Sequence, residues 1–169
     1  PIMGKLFDTL GIRSFPTLQN KADDYGELYI KQFIKYAGIP VLSLESATLH
    51  PLQSLTDIIT ISETFKEKRR PKIVLTWAPH VKALPQCVAN SFSQWVNAWG
   101  HADFVITHPE DYELDPQFTK GASITHDQDY ALKNADFVYV KNWSTYQDYG
   151  RIYCNDPEWM LTSEKLLLT

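Results

Sequence analysis

The chain is poor in cysteine, has no long apolar run and carries no strong charge of either sign. Its 169 residues include two distant cysteines, Cys87 and Cys154, which suit neither a disulfide framework nor a metal-ligand pair and favour a reducing cytoplasm. No apolar run approaches the roughly 18 residues of a membrane span, and no leader-like segment opens the chain. A formal net charge of −4 gives no pull toward nucleic acid or anionic membranes. We therefore expect small molecules or protein subunits as partners.

The composition is that of a globular protein. A hydrophobic share of 44% and an aromatic share of 13% are ample for a core in one domain or in parts of two. The chain opens with Pro1 rather than Met, which we interpret as the start of an internal segment of a longer protein.

Apolar periodicity predicts alternating strands and helices. The predicted strands are 11–15, 41–44, 72–78, 103–107 and 137–140. The predicted helices are 23–37, 51–61, 88–99, a short one from 115, 129–134 and a weak terminal one over 156–168. Alternation of this kind implies an α/β fold with a doubly wound, mostly parallel, Rossmann-like sheet. The charged run 66–70 before Pro71 marks a predicted domain boundary.

The sequence His50-Pro51-Leu52-Gln53 predicts the start of a helix. Proline suits the first helical position, so His50 is expected at or beside the N-cap, and Gln53 follows on the same face. A helix N-terminus suits an anion or an oxygen that gains negative charge. The four-residue pattern alone favours a polar cap with a solvated Gln, so the surrounding sequence has to decide between the two interpretations.

Several polar residues fall at or just after the ends of predicted strands, where ligands bind in parallel sheets. They are Arg13, Glu45, His50, His80 and Lys141. No glycine-rich phosphate loop or nucleophile elbow is present, and no metal site is predicted. His101, His108 and His126 are interpreted as structural.

Arg13 after a short strand, followed by His50-Pro51-Leu52-Gln53 and Asp57-Ile58-Ile59-Thr60-Ile61, resembles the aspartate/ornithine carbamoyltransferase family. The resemblance implies that Arg13, His50 and Gln53 contact the carbamoyl group of carbamoyl phosphate and that no cofactor is needed. It further implies a homotrimer with active sites between subunits. Residues 1–62 would be the end of the carbamoyl-phosphate domain with its linking helix, and residues 63–169 an incomplete amino-acid domain.

The second half resembles the branch of that family that acts on N-acylated ornithine. The motifs are Thr76-Trp77-Ala78-Pro79-His80, Leu84-Pro85-Gln86, Thr107-His108-Pro109-Glu110 and Lys141-Asn142-Trp143. The resemblance implies N-succinylornithine as acceptor, with N-acetylornithine or ornithine as alternatives, and implies substrate contacts from Glu45, His80, Leu84 and Lys141. Free ornithine has an α-ammonium group with which a protein carboxylate could pair, but acylation removes that positive charge. Lys141 can instead pair with the α-carboxylate of the substrate, which survives acylation.

Three of these four substrate residues also have a structural interpretation. Glu45 could be a carboxylate near a helix N-terminus, His80 a histidine bonded to backbone, and Lys141 a surface lysine. A non-catalytic homologue that binds an amino acid is an alternative of another class. The Ser-x-Arg-Thr-Arg loop that cradles phosphate in the family has no counterpart here, so the 169-residue stretch alone is expected to be inactive.

Overall fold

The strands of the protein form two separate sheets, and every strand pair is parallel. A computed structural model describes residues 1–169. The smaller sheet pairs β1 (Leu10–Arg13) with β2 (Val41–Glu45). The larger sheet has the order β5-β4-β3-β6 and consists of β3 (Lys72–Trp77), β4 (Asp103–Thr107), β5 (Ser123–Thr125) and β6 (Phe137–Lys141). The predicted α/β class with parallel, Rossmann-like strands is confirmed.

Seven α-helices connect and flank these strands. They are α1 (Lys21–Tyr25), α2 (Leu28–Ala37), α3 (Pro51–Thr64), α4 (Cys87–Trp99), α5 (Pro116–Thr119), α6 (Gln128–Leu132) and α7 (Ser163–Leu166). Single 3₁₀ turns occur at Met3–Lys5 and Pro157–Trp159. None of the helices combines the length and the apolarity that a bilayer crossing requires.

The core is built around β3, which is buried from Ile73 to Trp77. A strand flanked on both sides within its sheet and covered on both faces reads as a continuous apolar run, as this segment does. Helix α4 packs Ala89, Phe92 and Val96 against one face, and α6 covers the other face with Ala131 and its neighbours.

The single helix predicted over 23–37 is wrong, because the structure breaks it at Gly26 and Glu27. The Asn20 side chain caps α1 by accepting hydrogen bonds from two backbone N–H groups. Glu27 then adopts left-handed backbone angles, φ 52° and ψ 37°, before α2 begins. A non-glycine residue pays a steric cost for such angles, and the contacts of its carboxylate with the loop after β2 offset that cost.

The terminal helix predicted over 156–168 is also wrong. The chain forms the turn at Pro157–Trp159 and then the four-residue helix α7, since Met160 is extended with ψ 133°. The sequence does not predict strand β5, because a segment of three residues is too short to show alternation. Helix α3 has its predicted start. It buries Ser54, Ile58 and Ile61 and leaves the apolar side chains of Leu52 and Ile59 about half exposed.

Side-chain hydrogen bonds join the smaller sheet to the larger one. The Tyr25 hydroxyl donates to Gln86 Oε1 at 3.2 Å, and Asn90 Nδ2 donates to the Thr48 carbonyl at 3.2 Å. Helices α3 and α4 also pack against each other. The carboxyl ends of β1 and β2 therefore face the N-terminal end of α4.

Candidate active site

A buried carboxylate gathers two basic side chains where β1 and β2 end. Arg13 and Glu45 are register partners in the parallel pair. Arg13 Nε donates to Glu45 Oε2 at 2.6 Å, and His50 Nε2 lies 3.6 Å from the same oxygen. The Glu45 side chain is 6% exposed, whereas that of Arg13 is 59% exposed. Of the predicted residues, the structure thus brings Arg13, Glu45 and His50 into direct contact.

The loop from Ser46 to Leu49, which precedes His50, is held by Glu27. Its Oε1 accepts hydrogen bonds from Ser46 Oγ at 2.6 Å and from the Thr48 N–H at 3.0 Å, and also from the Thr48 hydroxyl. Ser46 N in turn donates to the Leu49 carbonyl at 2.8 Å. This tight loop delivers the chain to the N-terminus of α3 in a fixed direction.

His50 occupies the N-cap position of α3, as predicted, and Pro51 is at the first helical position. The imidazole makes no capping hydrogen bond, and its Nδ1 is buried without a partner. The ring is therefore directed at Glu45 and is not consumed in capping the helix.

Cys87 opens α4 directly opposite this cluster, and its thiol donates to Glu45 Oε1 at 3.5 Å. Burial raises the pKa of Cys87 to about 12, and the charge of Glu45 and its hydrogen bond act in the same direction. Lys141 acts in the opposite direction, so the ammonium of Lys141 is close enough to be felt at the thiol. Cys87 stays protonated and gives Glu45 a second donor.

Gln53 does not contact the Arg13 cluster. Its Nε2 donates to the Tyr139 hydroxyl on β6 at 2.7 Å. Burial raises the pKa of Tyr139 to about 12, and Asp57 on α3 adds to the shift through its charge and a hydrogen bond. Burial also raises the pKa of Asp57. Tyr139 thus fixes the first turns of α3 against the larger sheet.

Replacing Tyr139 with Phe is expected to reduce the free energy of unfolding by about 1–3 kcal/mol, because Gln53 and the half-buried Asp57 both lose a hydrogen-bond partner. The change would be measured by urea denaturation of the complete enzyme. Tyr130→Phe on α6 is the matched control, since that ring is 64% exposed, and it should change stability by less than about 0.5 kcal/mol. Equal effects of the two variants would contradict the bridging role of Tyr139.

The remaining predicted residues lie at the carboxyl end of the larger sheet. Lys141 is the last residue of β6 and the register partner of Trp77, and its ammonium has no hydrogen bond or ion pair in the structure. His80 follows β3 on an exposed loop, where its Nδ1 lies 3.1 Å from the backbone N of Lys82. The Leu84 carbonyl accepts hydrogen bonds from the backbone N and the hydroxyl of Ser144, each at 2.8 Å.

Gln86 fixes the loop that carries His80 and Leu84. Its side chain is fully buried, and its Nε2 donates to the Ser144 carbonyl at 2.7 Å. The same amide accepts from Tyr25 at its oxygen. One residue thereby ties α1, the loop before α4 and the segment after β6 together.

The sequence patterns assign no site role to four residues that shape this site: Glu27, Gln86, Cys87 and Tyr139. One sequence feature could have indicated Cys87: it lies directly before the predicted helix 88–99, close to the predicted site residue Leu84. Tyr139 and Gln53 are separated by 86 positions, so no local pattern connects them. Glu27 was hidden inside a segment that was predicted to be continuous helix.

Comparison with known proteins identifies relatives along the whole chain, although no family model matches. The chain is 50% identical over 171 residues to N-succinylornithine carbamoyltransferase from Bacteroides thetaiotaomicron, covering all of this chain and 53% of that protein. It is 32% identical over 162 residues to N-acetylornithine carbamoyltransferase from Xanthomonas axonopodis pv. citri, covering 88% of this chain and 47% of that protein. The chain thus spans about half the length of the curated relatives it matches.

Solved structures agree with the sequence relatives. N-acetyl-L-ornithine transcarbamylase superposes with a TM-score of 0.86 at 29% identity, covering 99% of this chain and 57% of the other. A variant of that enzyme complexed with carbamyl phosphate and N-succinyl-L-norvaline gives a TM-score of 0.83 at 29% identity, covering 99% and 56%.

Proposed function

This chain belongs to the carbamoyltransferase family, and we propose that the protein moves the carbamoyl group of carbamoyl phosphate to the δ-amine of N-succinyl-L-ornithine. The observation that carries the proposal is the convergence of Arg13 and His50 on Glu45 beside the N-terminus of α3. The products would be N-succinylcitrulline and phosphate, within arginine biosynthesis. Identity of 50% to N-succinylornithine carbamoyltransferase, against 32% to the N-acetylornithine enzyme, favours the succinyl acceptor.

Arg13 and His50 would act as donors to the carbamoyl oxygen. Arg13 uses only its Nε to bind Glu45, which leaves both terminal nitrogens of an exposed guanidinium free for a ligand. When the neutral δ-amine attacks the carbamoyl carbon, negative charge develops on the oxygen, and donors that are already in position stabilise it. Phosphate then leaves. Gln53 would contact the carbamoyl group from the first turn of α3, where unpaired backbone N–H groups add positive potential.

The acceptor would bind between this cluster and the end of the larger sheet. Glu45 would orient the δ-ammonium before it loses its proton, while Lys141 would pair with the α-carboxylate. The absence of an ion-pair partner for Lys141 supports that role, because a half-buried ammonium gains most from a carboxylate. His80 and Leu84 would line the acyl side on the loop before α4. Holding both reactants in one geometry supplies much of the remaining acceleration.

The test is carbamoyl transfer by the complete enzyme with ornithine, N-acetylornithine and N-succinylornithine offered in parallel. Preference for N-succinylornithine is the expected result. Preference for N-acetylornithine would retain the chemistry and change the acyl group. Activity only with free ornithine would contradict the role of Lys141, and no activity with any acceptor would favour the non-catalytic, amino-acid-binding homologue.

Replacing Lys141 with Asp is expected to lower kcat/KM for N-succinylornithine by at least about tenfold, because the carboxylate of the acceptor then meets a like charge. Use of free ornithine should rise relative to the acylated acceptor. Lys120→Asp makes the same charge change at an exposed position and serves as the control. An unchanged ratio of kcat/KM between the two acceptors would contradict the proposed pairing of Lys141 with the α-carboxylate.

We also propose how the chain fits into a complete enzyme. Residues 1–62, with the smaller sheet, would be the end of the carbamoyl-phosphate domain and its linking helix, and residues 63–169 most of the amino-acid domain. The enzyme would be a cytoplasmic homotrimer. Half-exposed apolar side chains on α2 and β2, among them Tyr29, Ile34 and Leu42, support further contacts for this half. Light scattering on the complete enzyme would test the trimer.

A further inference from the structure

Two histidines and a carboxylate converge at a second place on the larger sheet. His108 directly follows β4 and His126 directly follows β5. The strands are neighbours, with Thr107 opposite Thr125, so both histidines leave the sheet at the same edge. Their rings lie 5.1 Å apart between centroids at an angle of 75°. Glu113, from the loop after β4, completes the group.

Both imidazoles are bonded to a backbone carbonyl through the same ring nitrogen. His108 Nδ1 lies 2.8 Å from the Pro109 carbonyl, and His126 Nδ1 lies 2.9 Å from the His108 carbonyl. A carbonyl only accepts hydrogen bonds, so each Nδ1 is the donor, and each Nε2 is the ring nitrogen available to an ion. Fixing a histidine through one nitrogen, with the other left for an ion, is the usual arrangement around a bound metal.

The third ligand is free to take part. Glu113 makes no side-chain hydrogen bond or ion pair in the structure, although one ligand atom from each of the three residues lies within 4.8 Å of the others. Ligand atoms of a tetrahedral zinc ion lie roughly 3.3 Å apart. His108 is buried while Glu113 and His126 reach solvent, so the two outer side chains can close the difference by rotation.

We propose that His108, Glu113 and His126 form a binding site for one divalent transition-metal ion, of which Zn²⁺ fits best. Two imidazole nitrogens and one carboxylate oxygen suit zinc and its neighbours in the first transition row, whereas Mg²⁺ and Ca²⁺ prefer oxygen ligands. Three protein ligands leave a fourth position for water. The ion would join the loop after β4 to the loop after β5. The site is independent of the proposed transfer chemistry, which needs no metal.

The site has no local sequence signature. His108 and His126 are separated by 18 positions, outside the short spacings of zinc motifs. Only the parallel pairing of β4 with β5 brings the two histidines together. For that reason the sequence predicted them as structural residues.

The test is titration of the tag-free complete enzyme with Co²⁺, a coloured substitute for Zn²⁺, followed by displacement with Zn²⁺. The expected result is one equivalent bound, with visible absorption bands typical of a four-coordinate site and without the thiolate charge-transfer band that Cys87 or Cys154 would add. His126→Gln should weaken binding at least about tenfold, since losing even an outer contact commonly costs that much. Because His126 is exposed, this variant should fold normally. The buried His108 is a less suitable position for the test.

His101→Gln is the matched control, because His101 is exposed and packs on Trp99, away from the three ligands. It should leave Co²⁺ binding unchanged. A second measurement follows thermal unfolding, where Zn²⁺ should raise the melting temperature of the wild-type protein more than that of His126→Gln. Equal binding by His126→Gln and wild type, or no saturable binding at a few equivalents of metal, would overturn the proposal.

Discussion

Replacing His50 with Ala in the complete enzyme is expected to lower kcat by about a hundredfold or more with the fold intact. Removing one preorganised donor to a developing oxyanion typically costs about 2.7–4 kcal/mol of transition-state stabilisation. His50 suits this role because its ring makes no capping bond to α3 and lies 3.6 Å from the Glu45 carboxylate. Steady-state kinetics with carbamoyl phosphate and N-succinylornithine would measure the loss.

The same structural facts predict little effect of His50→Ala on stability. Its Nδ1 is already buried without a hydrogen-bond partner, so truncation removes no protein hydrogen bond from that atom. His101→Ala is the matched control and should retain full turnover, since its ring packs on Trp99 outside the site. A variant of His50 that folds normally and turns over within about threefold of wild type would contradict the donor role.

The largest effect on stability is expected from Trp77→Ala, at about 3–5 kcal/mol. Trp77 ends β3 with no exposed surface, and its ring lies 4.8 Å from that of Tyr112 and 6.3 Å from that of Trp159. Its indole N–H donates to the Trp143 carbonyl at 2.8 Å. Truncation therefore leaves a large cavity and an unpaired carbonyl in the centre of the core.

Urea denaturation followed by far-ultraviolet circular dichroism would measure this loss, because the signal does not depend on the deleted tryptophan. Leu167→Ala is the control, since that side chain is 85% exposed and should cost less than about 0.5 kcal/mol. Trp77→Phe should fall between the two, because it keeps a ring in the cavity but loses the N–H donor. A midpoint unchanged by Trp77→Ala would contradict the placement of Trp77 in the core.

The sequence predicts best where local chemistry and burial agree. The apolar run of β3, the strand at Asp103–Thr107 and the start of α3 at Pro51 all match the structure, because each follows from a pattern of neighbouring residues. Three of the five residues at predicted strand ends, Arg13, Glu45 and His50, lie together in the structure, because parallel strands share one carboxyl edge.

Prediction fails where distant side chains override local preference. The periodicity of 23–37 is helical, yet Glu27 leaves the helix because Ser46 and Thr48 bind its carboxylate. Likewise, Gln53 lies on the expected face of α3 but is paired with Tyr139 of the other sheet. Neither pairing can be inferred from spacing. The first arises only when the loop after β2 packs against the break between α1 and α2, and the second only when α3 packs against the larger sheet.

The residue at position 27 must adopt left-handed backbone angles and must also hold the loop after β2 through its carboxylate. These two requirements restrict which residues natural variation can place there. Glycine would adopt the left-handed backbone angles easily, but it would lose the hydrogen bonds to the loop that precedes His50. Glutamine would keep the side-chain length and lose the negative charge that strengthens three hydrogen bonds. Asparagine tolerates the backbone angles and is too short by one methylene. We therefore expect few single substitutions of Glu27 to be neutral, although this residue is remote from the proposed chemistry. Compensating changes should be sought at Ser46 and Thr48.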